Sequence, residues 1–584
     1  MPGANSKTPL LGNNSSGGSN KKPPVSRPKY QRRRSSFEAS TYNSQVVATS
    51  YTATKSHGED TNIPGLHLLQ LLTLTVCMAG VQFTWTVELS YGTPYLLSLD
   101  LSKELTALVW LAGPLSGLIV QPVIGAFSDK CTSKFGKRRP FIVVAGILTC
   151  LSMVGVAYAK EIGYWFAEIF ATSSTSMDRM ESIKQAAHTN AIIVAVASFY
   201  FLDFTLNAVQ AICRALILDI PPLWQQDIAN AWSARMSNTA MVIGYFVGFV
   251  DLVKYLPWLG DSQVKVFCIV AIVVFVLTLG ITCVTTKEKT VERKDDAELN
   301  QPWYSTFYYI WRAFRFLPRP IQTLCNTQFF AWMGWFPFLF YSTQWVSDIY
   351  FATHPPRTPD EPLDWAQGTR AGSFALLCYS VVSVLAGLIL PAIVSSKWAI
   401  HRRWMNLLNI YTLSHLTVAF ALISSLFVES VAAATVVLAI MGVPWAIVLW
   451  IPFSLVGEFV SYEDEKRNMA AVGHHGAIQQ SSSHHHSTPH EEESQQNNDE
   501  FDAGMILGVH NMYIVFPQFA VAIISSFIFA AADAIKDGNN RRGGNMSSVT
   551  PVLIFGGLMA IVAAALSRFI VRVSGPSSSH GVAK

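Results

Sequence analysis

The chain has 584 residues, of which 51% are apolar and only 14% charged, and its formal net charge at pH 7 is +4. Soluble domains of this size carry about 25% charged residues, so the composition excludes an ordinary soluble protein and predicts a polytopic helical membrane protein. The small net charge gives no indication of nucleic-acid binding, and the bilayer is the expected surrounding.

The eight cysteines show neither a paired extracellular framework nor a metal-ligand spacing. We therefore expect no disulfides, no metal and no cofactor. Residues 1–63 are rich in Ser, Asn, Pro, Lys and Arg, lack the pattern of a cleavable signal peptide, and are expected to be a disordered tail. A basic Ser-rich stretch at 32–36 leaves a kinase site open as an interpretation.

Hydrophobic windows predict twelve membrane-spanning helices, so the expected fold class is all-α. The spans lie near 66–90, 105–128, 140–158, 188–214, 233–252, 263–284, 321–346, 370–394, 404–427, 431–458, 503–530 and 550–571. The predicted organisation is a cytoplasmic tail over 1–63, a six-helix half over 64–284, a cytoplasmic central loop over 285–320, a second six-helix half over 321–571, and a tail over 572–584.

The second half contains an insertion, 460–502, between the tenth and eleventh spans. Its histidine cluster could bind a metal, but the surrounding Gln, Ser and Asn favour a disordered cytoplasmic loop. Similar basic loops follow the second and the eighth span, which indicates a weak internal repeat of two pseudo-symmetric halves.

Lysine and arginine in the short loops predict the orientation. The loops after spans two and eight and the central loop are basic, and with twelve spans they share a side with the basic N-terminal tail. Both termini are therefore expected in the cytoplasm. The sequon at Asn545 falls in an outer loop, where it could accept a glycan.

The fourth span carries four polar residues at spacings of four, three and four, namely Asp203, Asn207, Gln210 and Arg214. These spacings place all four on one face of a helix. A charge at bilayer depth costs about 3 kcal/mol or more, so this stripe must face protein or a wet cavity. It is either a structural polar seam between helices or a pathway for a solute and a proton. Asp203 and Arg214 are separated by about 16 Å along the axis, too far for direct pairing in a straight helix.

Residues 125–130, GAFSDK, followed by GKRR at 136–139, resemble the loop signature of the major facilitator superfamily. The acid Asp129 and the pair Arg138 and Arg139 could form a charge-assisted latch that gates the cytoplasmic side. A basic loop that only sets membrane orientation is the alternative.

Further segments narrow the resemblance to the sucrose/proton symporters of plants and their fungal and animal relatives, which belong to the glycoside-pentoside-hexuronide type. They cover nearly every span, as VQFTW at 81–85, ELS at 88–90, TPY at 93–95, WLAGPLSG at 110–117, VQP at 120–122, LD at 202–203, CRA at 213–215, WFPF at 335–338, GVPWA at 442–446 and IPF at 451–453. The insertion at 460–502 makes the layout more similar to the fungal alpha-glucoside/proton symporters.

The resemblance implies that Arg214 holds the sugar and that Asp203 carries the proton, with Glu88 as a second proton-coupling candidate. Asn207 and Gln210 offer the donors and acceptors that a polyol requires, and Gln82 and Trp85 of the first span are assigned to the same substrate site. Aromatic residues such as Tyr91, Trp332 and Trp335 could stack on a pyranose, although core packing is the stronger interpretation for each taken alone.

The chain departs from the plant proteins at two places. Ser342 and Gln344 stand where the plant relatives have acids in the seventh span, so any role of those acids is absent here. His510 breaks the pattern of the eleventh span and is either a pH-sensitive gate or a neutral, hydrogen-bonded interior histidine.

These observations predict a facilitator-type transporter, not an enzyme, that imports a disaccharide such as sucrose or maltose with a proton by alternating access. A sodium-coupled or uncoupled carrier and a non-transporting sugar sensor remain alternatives. The protein is expected to be a monomer in the plasma membrane, with the vacuolar membrane as the alternative.

Overall fold

The computed structural model describes residues 65–129, 131, 133–170, 176–222, 225–288, 317–355, 364–394, 406–459, 503–538 and 547–570. The predicted N-terminal tail, most of the central loop, the 460–502 insertion, the sequon at Asn545 and the C-terminal tail lie outside these residues. The predictions made for them therefore stay predictions.

Regular structure in the described part of the chain is helical throughout, with a helical segment at 451–459 in addition to sixteen named helices. They are α1 (Leu68–Thr75), α2 (Cys77–Ser98), α3 (Lys103–Val109), α4 (Ala112–Asp129), α5 (Arg139–Ala157), α6 (Ala159–Phe170), α7 (Ser176–Asp219), α8 (Gln226–Phe249), α9 (Leu252–Tyr255), α10 (Gln263–Thr285), α11 (Arg319–Thr353), α12 (Trp365–Val394), α13 (Leu407–Ser424), α14 (Val431–Val448), α15 (Ala503–Gly538) and α16 (Thr550–Ser567).

Each of the twelve predicted spans corresponds to a helix. The first span is α1 with α2, the second is α3 with α4, and the third to sixth are α5, α7, α8 and α10, while α11 to α16 supply the remaining six. Within the described residues, ten spans are long and apolar enough to cross a membrane. The other two, α8 and α11, have the length, at 24 and 35 residues, but a more polar composition.

Two helices differ from their predicted spans. The second span is broken at Trp110, and α4 restarts at Ala112 with Pro114 in its first turn, where the missing proline N–H costs no helical hydrogen bond. The fourth span is much longer than predicted, because α7 has 44 residues. At 1.5 Å per residue its length of about 66 Å exceeds the bilayer core of about 30 Å.

The buried apolar residues of the described chain form three cores, and the third of them joins residues of the second half between Ile321 and Ile570. The first core joins residues between Leu71 and Leu279. The second is built mainly from α11 to α16 and also takes in Ala107, Trp110, Met241 and Tyr245 of the first half. Large apolar side chains such as Val144 of α5 and Phe420 of α13 are exposed on the outside, as expected of surfaces that contact lipid.

Two faces of the bundle are named here by their loops. The basic face holds residues 133–138, between α4 and α5, and residues 286–288 after α10; the far face holds residues 99–102 and 250–262. Helices α2 and α11 both run from the basic face to the far face.

One contact between the two halves, near the far face, combines an aromatic stack with two hydrogen bonds. The hydroxyl of Thr93 in α2 donates to the carbonyl oxygen of Phe340 in α11 at 2.7 Å. The indole of Trp110 stacks on the Phe340 ring with centroids 4.3 Å apart, and its Nε1 donates to the Thr93 oxygen at 3.0 Å. These contacts link the first and second spans to the seventh.

A second far-face contact joins α8 to α12. The Arg370 guanidinium donates to the Phe249 carbonyl oxygen at 3.0 Å and pairs with Asp251 at 3.0 Å. Phe249 is the last residue of α8, so Arg370 caps a helix C-terminus, where a cation is favoured. The rings of Phe249 and Phe374 lie 5.0 Å apart beside this pair. The far-face end of the cleft between the halves is therefore closed in this structure.

Candidate functional site

The polar stripe of α7 faces protein, as its spacing predicts. Asp203 and Asn207 are each 2% exposed, Gln210 is 6% exposed and Arg214 is half-buried. Gln210 contacts α2 and Asn207 contacts α4, in the first and second spans. A stripe of this polarity on a membrane helix is tolerated because neighbouring helices cover it.

Glu88 of α2 and Asp203 of α7 are two buried carboxyl groups that lie close enough to influence each other electrostatically. Glu88 is 3% exposed, and one oxygen of each group, Glu88 Oε2 and Asp203 Oδ1, has no hydrogen-bond partner among the described residues. Gly113 of α4 lies against the second of these oxygens, since a Cβ placed there would be 3.7 Å from Asp203 Oδ1. Two adjacent buried carboxylates repel strongly unless they share a proton, so this pair is suited to holding one.

A small cavity lies beside Glu88 inside the first half. Its volume is about 10 Å³, and its lining includes Thr84, Tyr91 and Tyr95 of α2 and Phe199 of α7. That is about the space one water molecule requires. Of the two carboxyl groups, Glu88 lines this cavity and Asp203 does not.

Asn207 is held by α4 through both ends of its amide. Its Nδ2 donates to Ser116 Oγ at 2.6 Å and to the Asp203 carbonyl oxygen at 2.9 Å, while its Oδ1 accepts from Gln121 Nε2 at 3.0 Å. In this structure Asn207 therefore positions α7 against α4 next to Asp203. Ser116 and Gln121 were not predicted as site residues, although both lie in segments that carry the family resemblance.

Gln210 and Trp85 form the next contact toward the basic face. The indole Nε1 of Trp85 donates to Gln210 Oε1 at 3.1 Å. Gln82 lies three residues before Trp85 on the same side of α2, and both residues are half-buried. Arg214 follows one turn after Gln210. The structure thus brings together α2 and α7 residues that were predicted separately for the substrate site.

The predicted latch is only partly visible. Asp129 ends α4, but its side chain lies outside the described residues. Arg138 pairs with Asp219, the last residue of α7, at 2.8 Å, and also donates to Ser128 Oγ, so its predicted contact with Asp129 stays a prediction. The partner in view is therefore an acid that the sequence interpretation did not assign.

A second unpredicted acid, Glu288, lies at the start of α5. Its carboxylate accepts from the backbone N–H groups of Lys137, Arg138 and Arg139 at 2.6, 2.7 and 2.9 Å, and pairs with Arg139 Nε at 3.4 Å. Anions are favoured at a helix N-terminus, where unpaired N–H groups converge. The Arg pair thus links the ends of α7 and α10 at the basic face.

Gly136 makes room for this carboxylate. Its φ of +110° lies in the region that favours glycine, and a Cβ there would be 2.6 Å from Glu288 Oε1. We expect Gly136→Ala to destabilise the protein by about 1–3 kcal/mol, measured as a lower melting temperature in detergent. Gly280→Ala in α10 is the control, because a Cβ there meets nothing within 4 Å. Equal melting temperatures for the Gly136 variant and the wild type would contradict the expectation.

The second half buries His510 in a hydrogen-bonded chain. Tyr411 donates to Gln328 Oε1 at 3.1 Å, so the Gln328 amide nitrogen faces His510 Nε2 at 3.3 Å. A ring nitrogen that accepts from an amide carries no proton. This geometry favours the hydrogen-bonded interior histidine over the gate.

The seventh span has an acid, Asp348, near Ser342 and Gln344, the positions where the plant relatives have acids. Gln344 donates to Asp348 Oδ1 at 2.6 Å, and Ser547, which precedes α16, donates to Asp348 Oδ2 at 2.5 Å. Asp348 was not predicted as a polar partner of this span. It links α11 to the start of α16 near the far face.

Comparison with known proteins connects this geometry to a family. Residues 74–211 match the family model described as MFS/sugar transport protein. The general alpha-glucoside permease of Schizosaccharomyces pombe is 29% identical over 603 residues, which cover 91% of this chain and 98% of that protein. The sucrose transport protein SUT1 of Oryza sativa subsp. japonica is 30% identical over 425 residues, which cover 68% of this chain and 77% of that protein.

Two solved structures have a similar fold. A bacterial homologue of the human lysosomal transporter Spinster, in an inward-facing and unoccupied conformation, gives a TM-score of 0.51 at 13% identity, covering 86% of this chain and 96% of that chain. A D-xylose-proton symporter gives a TM-score of 0.50 at 13% identity, covering 87% and 99%. The predicted all-α major facilitator fold is confirmed.

Proposed function

Because the chain belongs to the major facilitator family of sugar transporters, together with sucrose and alpha-glucoside transporters, we propose that it imports sucrose, maltose or a related alpha-glucoside with a proton. Membership makes it a multi-pass membrane sugar transporter and not an enzyme. The coupling ion and the sugar are the proposed part.

The buried pair of Glu88 and Asp203 carries the proposal of proton coupling. A carrier driven by protons needs a group that takes up a proton on one side and releases it on the other. Two carboxyl groups enclosed at 3% and 2% exposure, each with an unpartnered oxygen, meet that need. Asp203 itself belongs to the polar stripe, and Asn207 donates to its backbone carbonyl oxygen, which supports a proton site adjoining the proposed sugar ligands.

The polar stripe supports an uncharged polyol as the substrate. Gln210 and Arg214 of α7, with Gln82 and Trp85 of α2, provide donors, acceptors and an aromatic face on facing helices. A metal ion or an anion would call for a different set, since carboxylates or several cations would then line the site.

In the proposed cycle the basic face is cytoplasmic, by the excess of Lys and Arg in its loops. With the far face open, a proton from outside neutralises the carboxyl pair and the sugar binds at Arg214 and Gln210. The loss of charge removes the cost of moving a buried ion, so the halves can rock. Sugar and proton then leave on the basic face.

The energetics suit an importer. One proton gains about 2.3 kcal/mol from 100 mV of membrane potential and about 1.4 kcal/mol from one pH unit. Together these support accumulation of about several hundredfold, since about 1.4 kcal/mol corresponds to a factor of ten.

Sugar-evoked current in a cell without its own carriers tests the proposal. We expect sucrose or maltose to evoke inward current that grows as the bath is acidified and that persists when sodium is replaced at constant pH. Current that disappears with sodium would assign sodium as the coupling ion, and labelled uptake without current would indicate a uniporter. No uptake of any sugar in a panel, despite surface expression, would contradict the proposed function.

A further inference from the structure

Residues of the second half lie at the same depth in the membrane as the polar stripe of α7. Helices α2 and α11 both run from the basic face to the far face, and Thr93 of the first contacts Phe340 of the second. Eight residues before each of these positions stand Trp85 and Trp332. Both tryptophans therefore lie about 12 Å below that contact, at the same depth in the membrane.

Helix α8 reaches the same level. A Cβ on Gly244 would meet Thr86, the neighbour of Trp85, at 2.8 Å, so α8 touches α2 there. Tyr245 follows Gly244, and it belongs to the same buried core as Tyr379 of α12 in the other half. The layer that holds Trp85 and Gln210 thus continues through Tyr245 to Tyr379.

An aromatic cluster in the second half occupies this layer. Its centre is Trp445 of α14, whose ring centroid lies 5.9 Å from Trp332, 5.0 Å from Trp335 and 6.2 Å from Tyr379. The three surrounding residues are at most 3% exposed, whereas Trp445 is half-buried. Part of the Trp445 surface is therefore accessible, unlike that of its three neighbours.

Two polar atoms beside Trp445 have no partner. Trp332 Nε1 and the Tyr379 hydroxyl are buried and make no hydrogen bond within the described part of the chain. Buried polar groups are normally paired, and an unpaired one is costly. Core packing alone does not account for two unpaired donors around one half-exposed tryptophan.

Building on the proposed sugar transport, we propose that Trp445, Trp332 and Tyr379 form a second sugar subsite that takes the other ring of a disaccharide. The apolar face of a pyranose stacks on Trp445, Trp332 Nε1 donates to a ring hydroxyl, and the Tyr379 hydroxyl exchanges a hydrogen bond with another. Trp85, Gln210 and Arg214 hold the first ring from the opposite half.

This arrangement gives a reason for preferring a disaccharide. A sugar of two rings contacts both halves at once, so its binding can change how the halves pack against each other. A monosaccharide fills only one subsite. Trp332 and Tyr379, interpreted from sequence as core or left unassigned, become determinants of substrate length.

The test compares three variants in uptake assays with a disaccharide and with glucose. Trp445→Ala and Tyr379→Phe are each expected to raise the KM for the disaccharide by about tenfold or more, with little change for any glucose uptake. Trp445→Phe keeps an aromatic face and should stay within about threefold of the wild type. Trp258→Ala is the matched control, because that tryptophan is 77% exposed on the far face.

The outcomes separate the two proposals. If the wild type moves the disaccharide and both Tyr379→Phe and Trp445→Ala keep its KM, the subsite is wrong and the proposed function stands. If the wild type moves no sugar, the proposed function fails first. Should Trp445→Ala not reach the membrane, Tyr379→Phe decides alone, since it removes a single oxygen; sugar protection of the purified variants against thermal unfolding gives a second readout.

Discussion

Replacing Asp203 with asparagine is expected to abolish uphill sugar accumulation, reducing an inside-to-outside ratio of about several hundred to about one. Asparagine resembles the protonated carboxyl in size and charge, but it has no proton to release on the inner side. The proton gradient then cannot drive sugar uptake. The measurement is steady-state accumulation of labelled disaccharide at acidic external pH.

Exchange of sugar across the membrane separates loss of coupling from loss of folding. Because the asparagine variant stays neutral, its halves can still rock with sugar bound, so labelled sugar inside should exchange with unlabelled sugar outside. Glu429→Gln, at an exposed loop position, is the matched control and should accumulate sugar normally. Normal acid-dependent accumulation by Asp203→Asn would remove Asp203 from the mechanism.

Glu88→Gln distinguishes the roles of the two acids. Asp203 remains ionisable in this variant, and the glutamine amide can donate to it across the contact that Glu88 now occupies. We expect accumulation to be reduced but not lost. Complete loss in both variants would show that the pair acts as a unit, as interacting carboxyl groups often do.

The membrane explains why so much of the fold could be predicted. A helix is the only form in which a lone segment can satisfy its backbone in lipid, so each apolar window had to be one. The period of 3.6 residues likewise fixed the common face of Asp203, Asn207, Gln210 and Arg214. Both predictions depend on information within a single helix.

Contacts between helices could not be predicted from the sequence by the same reasoning. Periodicity states which face is polar but not which helix covers it, so the partnership of Glu88 with Asp203 and of Asn207 with Ser116 and Gln121 emerges only from packing. Asn207 shows the consequence. It was predicted as a sugar ligand, yet its amide is used to hold α4 against α7.

Two kinds of residue account for the remaining differences between the sequence predictions and the structure: a polar helical extension and acids at the ends of spans. Residues 176–190 extend α7 at its N-terminal end. A hydropathy window does not detect this extension, because it carries Asp178, Glu181 and Lys184. Asp219 and Glu288 lie at the ends of their spans, where charged residues are ordinary. Only the position of the arginine pair identifies them as its partners.

A disulfide across the far face is expected to stop transport entirely. Gly248 near the end of α8 and Ser373 of α12 belong to different halves, and a Cβ on Gly248 would lie 3.3 Å from the Ser373 oxygen. The two side chains therefore start close together, and a disulfide needs a Cβ–Cβ separation of about 3.5–4.5 Å. The Gly248→Cys/Ser373→Cys pair should oxidise readily in the conformation described here.

The disulfide would join the two halves at the point where they must separate. Alternating access requires the far face to open once in each cycle, which means breaking the Arg370–Asp251 pair and the contact of Phe249 with Phe374. A covalent bond at this point cannot be broken by substrate binding. Uptake should fall to background after mild oxidation and recover after treatment with a reductant.

Single-cysteine variants supply the controls. Gly248→Cys and Ser373→Cys alone keep the eight native cysteines, so any inhibition through those thiols would appear in the single variants as well. We expect oxidant to leave both with their uptake, and only the double variant to lose it. Full uptake by the double variant while the disulfide is demonstrably intact would mean that these helix ends do not part during transport, and that the far-face contact between α8 and α12 is a permanent part of the fold.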